Sequence, residues 1–274
     1  MIKLLALDMD GTLLDQDKKL LPETLVDLDK ARAAGVLPVI CTGRPLSGVL
    51  PYLKELGWQG KEGYVIINNG ATIYSTKDLS IHSWSGLSQE ELVLLDQIAQ
   101  ESTAQLTVFD EQDYLVVGEE PSELVIMDAG LVFTKPKRVE LKQLLESQAK
   151  IFQAMYLDEK EALDRFEAEY GPQLAKHFEV VRSQEYIYEC LPKGTNKATG
   201  LSYLAQDLGF GNDQVMAIGD ANNDLEMLAY AGWSVAMGNA NEAVKKIAKF
   251  QTGPHTENGV GQAIREILLP ANQA

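Results

Sequence analysis

The chain has 274 residues, 45% of them hydrophobic, and a formal net charge of −16. That length allows one or two domains with a sizeable core. A chain this acidic repels phosphate backbones and anionic membranes, which excludes nucleic acid and membrane surfaces as general partners and requires local cations or a metal wherever an anionic substrate binds.

In chain order, residues 2–7 read as a short buried strand that ends in "DMDGT", residues 8–12. Residues i and i+2 of an extended chain point to the same side, so Asp8 and Asp10 would converge at the carboxyl end of a strand, where open α/β sheets place their ligands. The pair is either a solvated Asp-Gly turn, or a seat for a hard divalent cation, or a nucleophile beside a general acid. An EF-hand loop is rejected: counted from Asp8, the sixth residue is Leu13 rather than Gly, and the twelfth is Lys19 rather than Glu. Residues 22–34 read as a helix with Pro22 at its start and Gly35 as its stop. A second strand, 36–41, runs into "CTGRP", residues 41–45. There Thr42 offers a hydroxyl, Gly43 permits close backbone approach, Arg44 follows, and a helix over 45–56 begins, kinked at Pro51. Such a turn is a candidate phosphate site or an ordinary connection. Residues 63–70 read as a third strand, and "INNGATIY", 67–74, as a hairpin signal; Asn68 and Asn69 remain candidates to face a site.

The middle changes character. Helical patterns are expected at 89–101, 140–147 and 160–169, with strands at 105–109, 114–118, 149–156 and 178–181, the signature of an α+β module with an antiparallel sheet. From Asn196 the α/β alternation returns: a helix carrying Ala198, Leu201, Leu204, Ala205 and Leu208, a strand "VMAIGD" ending in Asp220, helices at 225–231, 242–249 and 259–268, and a strand "WSVAMG". The organisation expected is one α/β domain, 1–82 and 190–274, interrupted by an α+β domain at 83–189.

Two further constellations stand at element ends. In "GDANND", 219–224, the acids and amides either cap the next helix, the simplest role for Asn222, or add Asp220 and Asp224 to the carboxylates of the first strand. Asp8, Asp10, Asp220 and Asp224 around one point would demand a cation. In "PKGTNKATG", 192–200, Lys197 falls at a helix start, where the dipole disfavours a cation. It is solvated or held by an anion; Lys193 is its rival and reads as a loop residue. Cys41 and Cys190 sit in apolar strands without a CxxC partner and read as reduced buried thiols. No leader sequence and no run of about 18 apolar residues is visible, so a soluble cytoplasmic protein is expected. Tyr114, Tyr156 and Tyr186 read as packing residues of the inserted module, and His82, His177 and His255 as surface or loop residues outside the motifs.

The order DMDGT, TGR, KGTNK, GDANND resembles the haloacid dehalogenase (HAD) superfamily of phosphatases. The insertion, "VAMGNA" at 235–240 and "ENGV" at 257–260 resemble its Cof-like branch with a class IIB cap. The resemblance implies a Rossmann-like core with a central parallel sheet and an inserted α+β cap. It implies that Asp8 attacks phosphorus and that Asp10 serves as acid and then base. Mg²⁺ would be held by Asp8, the Asp10 carbonyl, Asp220 and Asp224, and the phosphoryl group by Thr42, Gly43, Arg44, Lys197 and Asn223. Ala198, Asn222 and Asn258 depart from the glycine, glutamate and aspartate common in the branch, none at a catalytic position. The expected function is a Mg²⁺-dependent phosphatase of small metabolites, either sugar phosphates or phosphorylated cofactors such as pyridoxal phosphate or flavin mononucleotide. The alternatives are a phosphomannomutase-type phosphotransferase, told apart by whether inorganic phosphate is released, and a non-catalytic phosphometabolite sensor. The expected partner is a small phosphorylated metabolite, with the chain a monomer or weak homo-oligomer.

Overall fold

A computed structural model describes residues 1–273; Ala274, the end of the expected segment 190–274, lies outside the described residues. The elements follow as β1 (Leu4–Leu7), α1 (Pro22–Ala33), β2 (Leu37–Cys41), α2 (Leu46–Glu55), β3 (Tyr64–Ile67), β4 (Thr72–Ser75) and β5 (Ile81–Trp84). Next come α3 (Gln89–Gln100), β6 (Gln105–Phe109), β7 (Tyr114–Val117), α4 (Glu123–Leu131), β8 (Pro136–Val139), α5 (Leu141–Ser147), β9 (Gln153–Leu157), α6 (Lys160–His177), β10 (Phe178–Gln184) and β11 (Ile187–Pro192). The chain continues with α7 (Lys197–Asp207), β12 (Val215–Gly219), α8 (Leu225–Tyr230), β13 (Trp233–Ala236), α9 (Glu242–Ile247), β14 (Phe250–Gln251) and α10 (Gly259–Ala263). Contacts divide these into two compact units. One holds Met1–Gly43, Tyr52–Ser83 and the chain from Asn196 on; the other holds Arg44–Pro51 and Trp84–Thr195.

The first unit is built on a sheet ordered β14-β13-β12-β1-β2-β3-β4-β5 among the described residues. From β14 to β3 the strands are parallel, and β4 returns antiparallel to β3. The strands LLAL and VMAIG are buried along their whole length, as expected of parallel strands covered on both faces. Register then positions the site. Leu7 lies opposite Ile218 on one side and Ile40 on the other. The residues just past the carboxyl ends of β1, β2 and β12 therefore share one edge of the sheet.

The second unit carries a sheet ordered β10-β11-β9-β6-β7-β8, antiparallel throughout except for the parallel pair β7 and β8. One face buries Leu106, Val108, Tyr156 and Cys190 with Leu95 of α3, Leu144 of α5 and Phe166 of α6. The other buries Phe109, Tyr114 and Met155 with Val125 and Ala129 of α4.

Two local expectations are corrected, and one helix, α4, was not anticipated. Helix α6 does not stop at Glu169 but runs through Pro172 to His177. The stripe Leu163, Phe166, Gly171 and Leu174 stays buried beyond the proline, and this burial offsets the lost backbone hydrogen bond. Helix α4 lacks an amphipathic pattern because Ile126, Met127 and Leu131 are exposed while Val125 and Ala129 are buried. The strand expected from 149 begins at Gln153. Strand β11 runs unbroken from Ile187 to Pro192.

Candidate active site

Strand β1 continues its ladder one step beyond its end, with the Asp8 N–H donating to the Ile218 carbonyl at 3.1 Å. The chain then turns sharply, the N–H groups of Leu13 and Leu14 donating to the carbonyls of Asp8 and Met9. Gly11 permits this turn: its φ is +85°, and a Cβ there would lie 2.4 Å from an Asp220 carboxylate oxygen. Asp8 is thus buried rather than solvated, only 5% exposed.

Its partner is Lys197. The Lys197 Nζ donates to Asp8 Oδ1 at 2.6 Å and to Asp224 Oδ1 at 2.7 Å, and the whole lysine is 1% exposed. The solvated-lysine reading is therefore overturned. Asn196 caps α7, accepting from the Thr199 N–H at 3.0 Å. The lysine one residue later is held against the helix dipole by two carboxylates. The rival Lys193 donates to the carbonyls of Ala175 and Phe178 in the second unit.

Neither Asn222 nor Asp224 caps α8 through its side chain; Asp224 instead holds the loop that precedes it. Its Oδ2 accepts from the N–H groups of Asp220 and Ala221 at 2.9 and 3.1 Å, fixing the loop after β12. Asn222 instead accepts from Asn241 Nδ2. Asp220 Oδ1 accepts from the buried Thr12 hydroxyl at 2.8 Å. Thr12 was not singled out from the sequence; its place two residues after Asp10, inside the DMDGT turn, is the signal that points to it.

One oxygen from each of Asp8, Asp220 and Asp224 lies within 4.8 Å of the others. Three carboxylates against one ammonium leave negative charge in excess. Burial, and then the charge of Asp224, push Asp8 well above the usual carboxylate range although Lys197 pulls it down. The same two causes raise Asp220 to about 6. Burial alone would lower the Lys197 pKa, but Asp224 and Asp8 outweigh it and hold the ammonium protonated. An all-oxygen, anionic donor set suits a hard divalent cation, so these residues fit a metal.

The other expected residues are placed as follows. The Asp10 carboxylate is outside the triad and half-exposed, accepting from Lys18 Nζ at 2.7 Å. Thr42 is buried; its N–H donates to the Ile66 carbonyl and its own carbonyl accepts from the Asn69 N–H. Gly43 follows in the first unit, a Cβ there lying 3.0 Å from the Asn69 amide. Arg44 begins the 44–51 segment of the second unit, its Nη1 donating to the Gly48 carbonyl at 3.2 Å. Asn223 donates through Nδ2 to Asn69 Oδ1 at 3.3 Å. Asn258 lies apart from the triad: it caps α10 and accepts from Thr24. Both cysteines are buried free thiols, and burial pushes Cys41 up to about 12.

The tyrosines are packing residues with satisfied hydroxyls. Tyr114 and Tyr186 donate to Asp128 at 2.9 and 3.3 Å, and Tyr156 donates to the Leu95 carbonyl. His82 is in β5, 3.1 Å from Asp207. No helix among the described residues is long and apolar enough to cross a membrane.

A family model described as haloacid dehalogenase-like hydrolase matches residues 5–264. The Bacillus subtilis protein YxeH, provisionally named a phosphatase, is 35% identical over 269 residues, 98% of this chain and 99% of the relative. The HMP-PP phosphatase of Serratia proteamaculans is 30% identical over 279 residues, covering 98% of this chain and 94% of the relative. A haloacid dehalogenase-like hydrolase from Bacteroides thetaiotaomicron superposes with a TM-score of 0.86 at 29% identity, over 97% of this chain and 100% of that one. The chain belongs to the haloacid dehalogenase-like hydrolases, in their Cof-like branch, and is a phosphatase of small phosphorylated metabolites.

Proposed function

We propose that the site hydrolyses phosphate monoesters of sugars or phosphorylated cofactors with Mg²⁺, through an aspartyl-phosphate on Asp8. The observation that carries this reading is Lys197, buried and bonded to Asp8 and Asp224 beside Asp220. A nucleophilic carboxylate facing an anionic substrate needs positive charge close by, and phosphoryl transfer depends on positioning and charge neutralisation.

An Asp8 oxygen attacks phosphorus as the bond from phosphorus to the ester oxygen breaks. Asp10 gives its proton to the leaving alcohol. A water then attacks the aspartyl-phosphate, Asp10 takes the water's proton, and inorganic phosphate and free Asp8 result. Thr42, Gly43, Arg44, Lys197 and Asn223 bind the phosphoryl oxygens. Mg²⁺, held by Asp8, the Asp10 carbonyl, Asp220 and Asp224, would neutralise charge on the phosphoryl oxygens. Thr12 holds Asp220 in place through its hydroxyl. The inserted domain, 83–189, acts as a cap that selects the alcohol part of the substrate. The protein works in the cytoplasm, as a monomer or weak homo-oligomer, and takes no nucleic acid.

The test is phosphate release from a panel of phosphorylated sugars and cofactors, with Mg²⁺ and with EDTA. Release that needs the metal and is lost in Asp8→Asn supports the reading and ranks the substrates. Transfer of phosphate to a second sugar without release would replace it with the phosphotransferase. Neither release nor transfer by folded, metal-loaded protein would leave only a sensor.

A further inference from the structure

We infer that Asn69 is a positioning residue for the phosphoryl end of the site, acting through Thr42–Gly43 and Asn223; the inference rests on the phosphatase reading above. It begins from the backbone. Asn68, Asn69 and Gly70 have φ of 51°, 50° and 94°, three left-handed residues in succession. That region is costly for most side chains and tolerated by asparagine and glycine. A two-residue hairpin loop needs only two such positions. Here β3 and β4 pair up to Ile67 opposite Thr72, which leaves four residues to make the connection.

What the longer turn does is visible in its contacts. The Asn69 N–H donates to the Thr42 carbonyl at 3.0 Å, and its amide lies against Gly43 so closely that a Cβ on Gly43 would meet it at 3.0 Å. Its Oδ1 accepts from Asn223 Nδ2 at 3.3 Å. One residue on, Gly70 abuts the start of α7: a Cβ there would lie 2.1 Å from the Asn196 carbonyl, just before Lys197. One buried turn thus meets the loop after β2, the loop after β12 and the first residue of α7. These carry Thr42, Gly43, Asn223 and Lys197. The hairpin itself needs none of these contacts. Asn69 is only 2% exposed, so its amide is fixed and can transmit that fixation to both loops.

The consequence is selective. Loosening Asn69 disturbs the grip on the phosphoryl group more than the proton transfers of Asp10. The test uses p-nitrophenyl phosphate as substrate, inorganic phosphate as competitive inhibitor and Mg²⁺, in wild type, Asn69→Gly, Asn223→Ala and the double variant. Asn69→Gly keeps the left-handed backbone and removes the amide. We expect its KM and its inhibition constant for phosphate to rise about tenfold or more, with a smaller fall in kcat. We also expect the effects of Asn69→Gly and Asn223→Ala to be less than additive, because one contact joins them. A lowered melting temperature with wild-type KM and phosphate inhibition would mean that Asn69 serves only the hairpin, and would overturn the inference while leaving the phosphatase reading intact. Full additivity would overturn the route through Asn223. Absence of hydrolysis in the wild type overturns both together.

Discussion

Both units bury carboxylates, and they satisfy them in opposite ways. In the first, Asp8, Asp220 and Asp224 crowd within 4.8 Å around a single buried lysine. In the second, Asp128 on the buried side of α4 takes the hydroxyls of Tyr114 and Tyr186. Two neutral donors suffice for one acid, which burial raises above its usual range. Neutral donors also serve Asp220 and Asp224 in the first unit, but they do not close the balance: Asp8 and Asp220 are raised and face further negative charge. A buried acid with neutral donors is a structural device. A buried cluster with surplus charge is built for something positive that arrives.

The same substitution made in both units should break the likeness most sharply. Asp8→Asn is expected to cut phosphate release at least about 1,000-fold while the protein stays folded, measured as kcat with the best substrate of the panel. Asp128→Asn should leave kcat within about twofold, since its amide only packs and bonds. Comparable losses of kcat in the two variants would sink the distinction.

Next in size is Lys197→Met. Removing the one cation from between Asp8 and Asp224 strands two buried carboxylates, and a loss of about 3–5 kcal/mol is expected in denaturant unfolding. Following with Asp224→Leu in the same chain should recover part of it. No loss would show that the lysine is not needed to hold the acids together.

The pH dependence sharpens the contrast further. The folded pKa of Asp220, about 6, lies above its unfolded value of about 3.9. Between these the native state binds more protons, so stability is greatest below about pH 4 for this group and is lost as pH rises toward 6. Asp8, raised for the same cause, extends the loss to higher pH. Metal-free protein should therefore lose up to about 3 kcal/mol from Asp220 across that window. Mg²⁺ should raise the melting temperature more at pH 7 than at pH 5, because protonated acids bind metal poorly. An equal shift at both values would remove these acids as its seat. The smallest effect is that of Tyr114→Phe, expected to cost about 1–2 kcal/mol by taking one donor from buried Asp128, with no change in metal response.

Much of this contrast was legible in the chain. Apolar runs ending in acids marked Asp8 and Asp220 as strand-end residues because parallel strands buried on both faces read as continuous apolar segments. Helices α3 and α7 fell close to their expected spans because of an apolar stripe at helical spacing, and α1 because of its Pro22 start and Gly35 stop. Elements whose stabilisation is not local were misread, as α6 was, or missed, as α4 was. Helix α6 survives its proline only because the sheet beneath it stays in contact, and α4 carries no periodic pattern because its exposed side is apolar as well.

The sequence by itself determined which residue types stand at which strand and helix ends, because backbone propensity and the spacing of apolar residues act over a few residues at a time. Only the tertiary structure decided which of those ends meet. Lys197 read alone was a solvated residue at an unfavourable helix start, Thr12 was an unremarked neighbour of Asp10, and Asn69 was half of a hairpin turn. Parallel register brought the ends of β1, β2 and β12 to one edge, 189 residues of chain separate Asp8 from the lysine that holds it, and a charge acquires its meaning from what is packed within a few ångströms of it, which no local pattern encodes.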